Sequence, residues 1–144
     1  MMKITLFVWL HNAMKLQLSS NKVTSLNLIQ SSEVGDFSDL EELGFMFEPV
    51  FLEESSNFFK VFFVLRLKIK SSHLLVIEYE SEFELDSACD DVFVSSDFPY
   101  VNAPAIAFPY LRAFVSTFLL NAGYEPIMLP SMNFSAMHKK HRQE

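Results

Sequence analysis

The run from Phe58 to Leu85 constrains this chain most. Val61, Phe63, Leu65, Leu67 and Ile69 share one parity, while Lys60, Arg66, Lys68 and Lys70 share the other with Phe62 and Val64. After Ser71, Ser72 and His73 the pattern resumes. Leu75, Ile77, Tyr79, Phe83 and Leu85 alternate with Glu78, Glu80, Glu82 and Glu84. Period two over such lengths marks strands with one buried face, and the polar triplet between them makes a hairpin. The apolar faces must coincide, so odd residues pair with odd and even with even. A three-residue turn then sets Lys70 opposite Leu74, Lys68 opposite Val76, Arg66 opposite Glu78 and Lys60 opposite Glu84. Opposite charges meet at the last two pairs, each contributing about 0.2–1 kcal/mol.

A sheet with one wholly apolar face needs a cover. Leu111, Phe114, Val115 and Phe118 supply it, at i, i+3, i+4 and i+7 on one helical stripe. Pro109 starts that helix or kinks it, because it lacks an amide donor and crowds the preceding turn. Asn121 and Gly123 mark its end. Pro126 and Pro130 hold the next segment extended, and Ser131 or Asn133 caps a short second helix running into Met137. The remaining tail, His138 to Glu144, reads as polar and frayed.

Upstream, Leu16, Leu18, Leu26 and Leu28 fall on even positions among polar odd ones, predicting a half-buried strand over Lys15–Gln30 with a bend near Ser19–Asn21. The acidic stretch from Ser31 to Gly44 reads as a crossover loop with one helical turn at Asp39–Leu43. Phe45–Glu53 returns to strand character, and Pro49 confines it to an edge or to an irregular start. Asp86–Pro99 reads as an acidic loop containing Cys89. The predicted fold class is α+β: a four-stranded antiparallel sheet with a long kinked helix and a short C-terminal helix on one face. One domain accounts for residues 1–144. Residues 1–13 form an extra strand or tail, or the natural start is Met14.

Half of the residues are apolar, with 16 Phe against three Gly. Such a surplus implies an aromatic core or apolar surface kept for other chains. Phe62, Val64, Leu74 and Val76 cluster on the mixed sheet face and are the candidate oligomer interface. The net charge of −7 argues against a nucleic-acid footprint and is compatible with cationic partners. The lone Cys89 excludes an internal disulfide and fits a reducing, cytoplasmic compartment. No apolar run approaches the ~20 residues that a membrane span needs.

Catalytic chemistry finds little footing. His138 and His141 stand three apart, without a third ligand at useful spacing. Cys89 lies beside Asp90 and Asp91, which raise a thiol pKa rather than lower it. The glutamates of the last strand face Lys60 and Arg66 as a solvated row. Phosphate-cradling loops and metalloprotease or hydrolase motifs are absent from the sequence. No catalytic residue, metal or cofactor is expected, and the chain reads as a non-enzyme.

Phe108-Pro109-Tyr110-Leu111-Arg112, the Gly123 stop, Leu129-Pro130, Asn133-Phe134 and the small Ala136 together resemble the SecB family of protein-export chaperones. The element order agrees. The resemblance implies a protein that binds unfolded preproteins without ATP and keeps them competent for delivery to the Sec translocase. Four protomers would assemble as a dimer of dimers. Its client groove would be lined by the second strand, here Phe45, Phe47, Phe51 and Leu52. Docking to the translocase motor SecA would use acidic residues of the sheet, of which Glu78 matches. The first strand carries Val23 and Asn27 where further acidic residues would stand, Ala113 replaces a glutamate after the Phe-Pro-Tyr motif, and Ser81-Glu82 replaces a glycine pair. These departures leave room for a dedicated chaperone of an antitoxin or other single partner. A pocket between helix and sheet for a small molecule is the reading from another class.

Overall fold

The computed structural model describes residues 15–30, 32, 39–53, 56–70 and 72–144. Strands β1 (Leu16–Gln30), β2 (Leu43–Phe51), β3 (Phe58–Ile69) and β4 (His73–Leu85) form one antiparallel sheet in the order β1-β4-β3-β2. A short helix α1 (Asp91–Val94), a π turn at Phe98–Asn102, the long helix α2 (Ala103–Asn121) and helix α3 (Phe134–Gln143) follow. All four strands and both longer helices were legible in the alternation and the helical stripe. The expectations for residues 1–13 lie outside the described residues.

Parity held in the central hairpin, and register did not. Lys60 faces Glu82, Arg66 faces Val76 and Lys68 faces Leu74. Lys70 and Ser72 lie in the turn, and His73 has already entered β4. Lys70 adopts φ 54°, so β3 ends one residue early. His73 enters β4, its ring 5.4 Å from Tyr124. Moving both strand ends by one residue slides the pairing by two. The charge pairing moves with it, and Lys60 Nζ lies 2.7 Å from Glu80 rather than opposite Glu84.

β1 carries two register shifts, at Leu18/Ser20 and Val23/Ser25. Each extra residue flips the side-chain parity. Between the shifts Asn21 and Val23 share the face of Ser81 and Tyr79; beyond the second, Leu26 and Leu28 return to the face of Ile77 and Leu75. Ser81 is fully buried, and its hydroxyl donates to Asn21 Oδ1 at 2.7 Å, so the polar pair satisfies itself inside an apolar layer. The helical turn expected at Asp39–Leu43 is replaced by an irregular approach, with β2 already begun at Leu43.

The core lies between the sheet and α2. Phe59, Val61, Phe63 and Leu65 of β3 meet Leu75, Ile77 and Phe83 of β4 beneath Ala107, Leu111, Val115 and Leu119, all fully buried. Phe59 stacks on Phe83 at 5.3 Å and meets Phe93 of α1 edge-on at 5.3 Å. None of the phenylalanines among the described residues is exposed. The surplus is therefore an aromatic core, and the exposed apolar surface belongs to other residue types.

Pro109 neither begins α2 nor ends it. The helix starts at Ala103 after the π turn, with Pro104 in its first turn. Pro109 and Ala105 are both exposed, so the missing hydrogen bond falls on the solvent side, where water can replace it. Gly123, at φ 92°, ends the helix: Tyr124 N–H donates to Leu119 O at 2.8 Å and Gly123 N–H to Leu120 O at 3.2 Å. The stretch Phe98–Asn121, though interrupted by Asn102 and Arg112, is long and apolar enough by composition to cross a membrane, an 18-residue window within it reaching mean hydropathy 1.4. One face of it is nonetheless committed to the sheet.

Candidate functional site

Among the described residues β2 is an edge strand, and a groove of about 850 Å³ runs beside it. One wall is β2 from Phe45 to Pro49. The other is α3, through Met137, His138, His141 and Arg142, and the end is closed by Val94, Ser95 and Tyr100. Phe45 and Phe47 form the floor. Phe45 lies 5.4 Å from Phe108 and 5.9 Å from Phe63, and Phe47 meets Phe134 edge-on at 5.1 Å. The floor rings thus pack against the core on one side and face the groove on the other.

α3 is held in place by local chemistry. Asn133 Oδ1 accepts from Ala136 N–H at 2.9 Å, the N-cap expected for Asn133. Phe134 anchors the helix in the aromatic core. Arg142 donates from Nη2 to Ser95 O at 3.3 Å, tying the far end of α3 to the loop after α1.

The supposed frayed tail is ordered helix as far as Gln143. His138 is only 9 % exposed and stacks on Tyr100 at 4.7 Å. Its Nε2 is buried without a hydrogen-bond partner, 3.6 Å from Asp97 Oδ1. The sequence did carry a signal: Phe134, Met137, His138 and His141 stand at i, i+3, i+4 and i+7, one face of a helix. Burial lowers the His138 pKa, and Arg142 and His141 lower it further; Asp97 pulls the other way. The unfolded chain binds a proton near 6.5, the folded chain only at lower pH. The unfolded state therefore holds more protons once the pH drops below that value, and stability declines from there down to the folded pKa. His138→Gln should flatten this decline between roughly pH 7 and 5 in urea midpoints. Identical slopes for the two proteins would refute it.

The expected groove residues divide. Phe45 and Phe47 line the groove; Phe51 packs on Phe59 and Phe93, and Leu52 sits by a separate shallow hollow with Glu53 and Ser56. Met46, Tyr100, Met137 and His138 also line the groove, none of them expected there from the sequence. Glu78 is exposed on the open sheet face, opposite Ser25 of β1 and Val64 of β3. Phe62, Val64, Leu74 and Val76 lie on that same face. The observed register sets Val64 diagonal to Val76, with Met46 opposite Val64 and Ile29 opposite Leu74, so an apolar band crosses the sheet. Leu74 is only 7 % exposed. Burial, followed by Asp90, raises the Cys89 pKa. No group of three or more His, Cys, Asp or Glu among the described residues could hold a metal ion.

An aromatic-floored groove beside an edge strand, on a four-stranded sheet backed by a long helix, is an arrangement suited to holding peptide. Residues 56–144 match the family model described as preprotein translocase subunit SecB, and the chain belongs to the SecB family. It is 39% identical over 69 residues to an uncharacterized protein of Methanocaldococcus jannaschii, covering 47% of this chain and 43% of that protein. It is 41% identical over 44 residues to protein-export protein SecB of Anaplasma phagocytophilum, covering 31% of this chain and 28% of that one. The matches span less than half the length of these curated relatives. Among solved structures, the SecB-like chaperone of Mycobacterium tuberculosis, in complex with a ChAD peptide from the HigA1 antitoxin, superposes with a TM-score of 0.58. That match has 11% sequence identity and covers 82% of this chain and 90% of that one. At such identity the likeness establishes the fold.

Proposed function

We propose that this protein is an ATP-independent chaperone that holds non-native polypeptides, preproteins among them, and passes them to the Sec translocase in the cytoplasm. The observation that carries this reading is the groove between β2, an edge strand among the described residues, and α3. Its floor is aromatic, Met46 and Met137 are among its lining residues, and it is open to solvent rather than a closed cavity. Shallow apolar area with adaptable methionines accepts many sequences, which a holdase requires. Family membership supports the same reading. The test is suppression of aggregation of a denatured client at stoichiometric ratios; no protection at any ratio would overturn it.

Assembly of several copies belongs to this proposal. Ile106, Tyr110, Ala113, Thr117 and Leu120 are exposed on α2 at alternating spacings of four and three, the seam of a helix that packs on another helix. Ile106 is 41 %, Tyr110 54 % and Leu120 60 % exposed, against half-burial of Phe62, Val64 and Val76 on the open sheet face. The helix seam is therefore the stronger candidate for contact between copies. A monomeric mass in solution at micromolar concentration would refute association.

A second reading keeps the fold and narrows the client to one partner, such as an antitoxin. Support comes from the SecB-like chaperone whose structure holds an antitoxin peptide, and from β1, which places Ser25 and Asn27 beside Glu78 and Val76 rather than further carboxylates. Glu78 remains the candidate docking residue for SecA. Binding to the motor's C-terminal tail, measured with and without Glu78→Lys, separates the readings. Absence of motor binding alongside recovery of one dominant partner would favour the second.

A further inference from the structure

We propose that the open face of the sheet docks a partner protein through an acidic segment, whose carboxylate is received by Arg66 and whose apolar neighbours lie on Met46, Val64 and Val76. Arg66 does not line the groove, so this site is separate from it.

The observed register creates the site. β3 presents three cations on its open side. Lys60 lies 2.7 Å from Glu80, and Lys68 lies 3.8 Å from Glu42. Lys68 Nζ also donates to Leu40 O at 3.1 Å, so it is committed to the approach to β2. Arg66 has no carboxylate partner among the described residues, and its Nε is enclosed without a hydrogen-bond partner. Its nearest claim on a counter-ion would be Glu78, but Arg66 is paired with Val76, and Glu78 with Val64. The Arg66 side chain turns the other way, across β2. A Cβ placed at Gly44, the residue directly opposite, would stand 3.2 Å from both Nε and Nη2. Glycine at that position is therefore the seat on which the guanidinium lies.

Covering a charged N–H without an acceptor costs more than covering a neutral one. A guanidinium keeps its charge in proteins, so only an acceptor relieves that cost, and its planar fork matches a carboxylate. The surroundings select the kind of carboxylate. Val76 and Val64 are half-buried, and Met46, opposite Val64, is exposed. Apolar neighbours exclude water and strengthen an ion pair made among them. Glu42 and Glu78, both exposed, stand on the flanks and repel a run of acids. The fitting segment thus carries a single acid among apolar residues.

The probe is a synthetic peptide of leucine, valine and threonine with one central glutamate, compared with its glutamine and lysine counterparts. Affinity for the full chain is read by fluorescence anisotropy. The glutamate peptide should bind about tenfold tighter than the glutamine peptide, and the lysine peptide weakest of all. This sign is diagnostic, because the chain's net charge of −7 alone would favour lysine. Arg66→Gln should erase the ranking. Gly44→Val, a residue that suits a strand, denies the guanidinium its seat and should shrink the preference severalfold. Glu78→Gln should sharpen it by removing a repelling neighbour. Arg142→Gln, on the groove lining, should leave it unchanged.

Equal binding of the three peptides, or tighter binding of the lysine peptide, overturns the acid site. Loss of the ranking in Arg142→Gln but not in Arg66→Gln puts the acid in the groove and overturns it as well. Competition by free glutamate at the peptide's own concentration would reveal a site for a bare carboxylate and overturn docking of a segment. A fall in the mass of the free protein on Arg66→Gln would give the face to a second copy and overturn a foreign partner. Protection of a denatured client by Arg66→Gln is measured alongside, so failure here and failure of the holdase reading are told apart.

Discussion

Phe59→Ala should lower the unfolding free energy by about 3–5 kcal/mol, moving the urea midpoint down by roughly 2 M. Phe59 has no solvent exposure, and its ring sits among Phe51 at 5.8 Å, Phe83 at 5.3 Å and Phe93 at 5.3 Å. Those three rings come from β2, β4 and α1. A void here cannot be filled by moving one neighbour, because each is fixed by its own element. The cavity term therefore adds to the lost transfer energy. Urea unfolding measured at fixed pH decides the matter. A loss under ~1 kcal/mol would show that the site collapses and that the aromatic cluster is looser than its geometry.

The second large effect concerns activity. Met46→Glu combined with Met137→Glu should reduce protection of an aggregating client by more than about tenfold, with far-UV circular dichroism unchanged. Both methionines line the groove, Met46 exposed at the edge of β2 and Met137 half-buried on α3. Carboxylates there would have to lose water whenever an apolar segment entered. Val92→Glu is the control, since Val92 is 79 % exposed on α1 and lies off the groove lining. Equal loss in both variants would mean that general surface hydrophobicity, not the groove, carries the holding activity.

Strand existence was plain in the sequence because it is a local property. Val61 to Ile69 and Leu75 to Leu85 alternate, and alternation needs no knowledge of partners. Register depended on one backbone angle at Lys70, which composition does not encode, and it slid by two. In β1 a bend was expected near Ser19–Asn21, where the first register shift falls, but the second shift at Val23/Ser25 was not foreseen, and between the two Asn21 and Val23 turn inward. The groove was only half visible. Phe45 and Phe47 could be named from the family resemblance, but their α3 partners come from the other end of the chain. His138 was dismissed as a tail residue although its spacing from Phe134 placed it on the anchored face. The Phe surplus pointed to spare apolar surface, and that surface exists on Met46, Ile106, Tyr110 and Leu120 rather than on phenylalanine.

Phe45 and Phe47 belong to two structures at once, the folded core and the floor of the groove proposed to hold a guest. Selection cannot retune such rings for a new guest without putting the fold at risk. If the groove holds clients, substitutions that change its preference fall at least thermodynamic risk on the exposed outer turns of α3, at His141 and Arg142, so the choice of guest can change while the grip is kept.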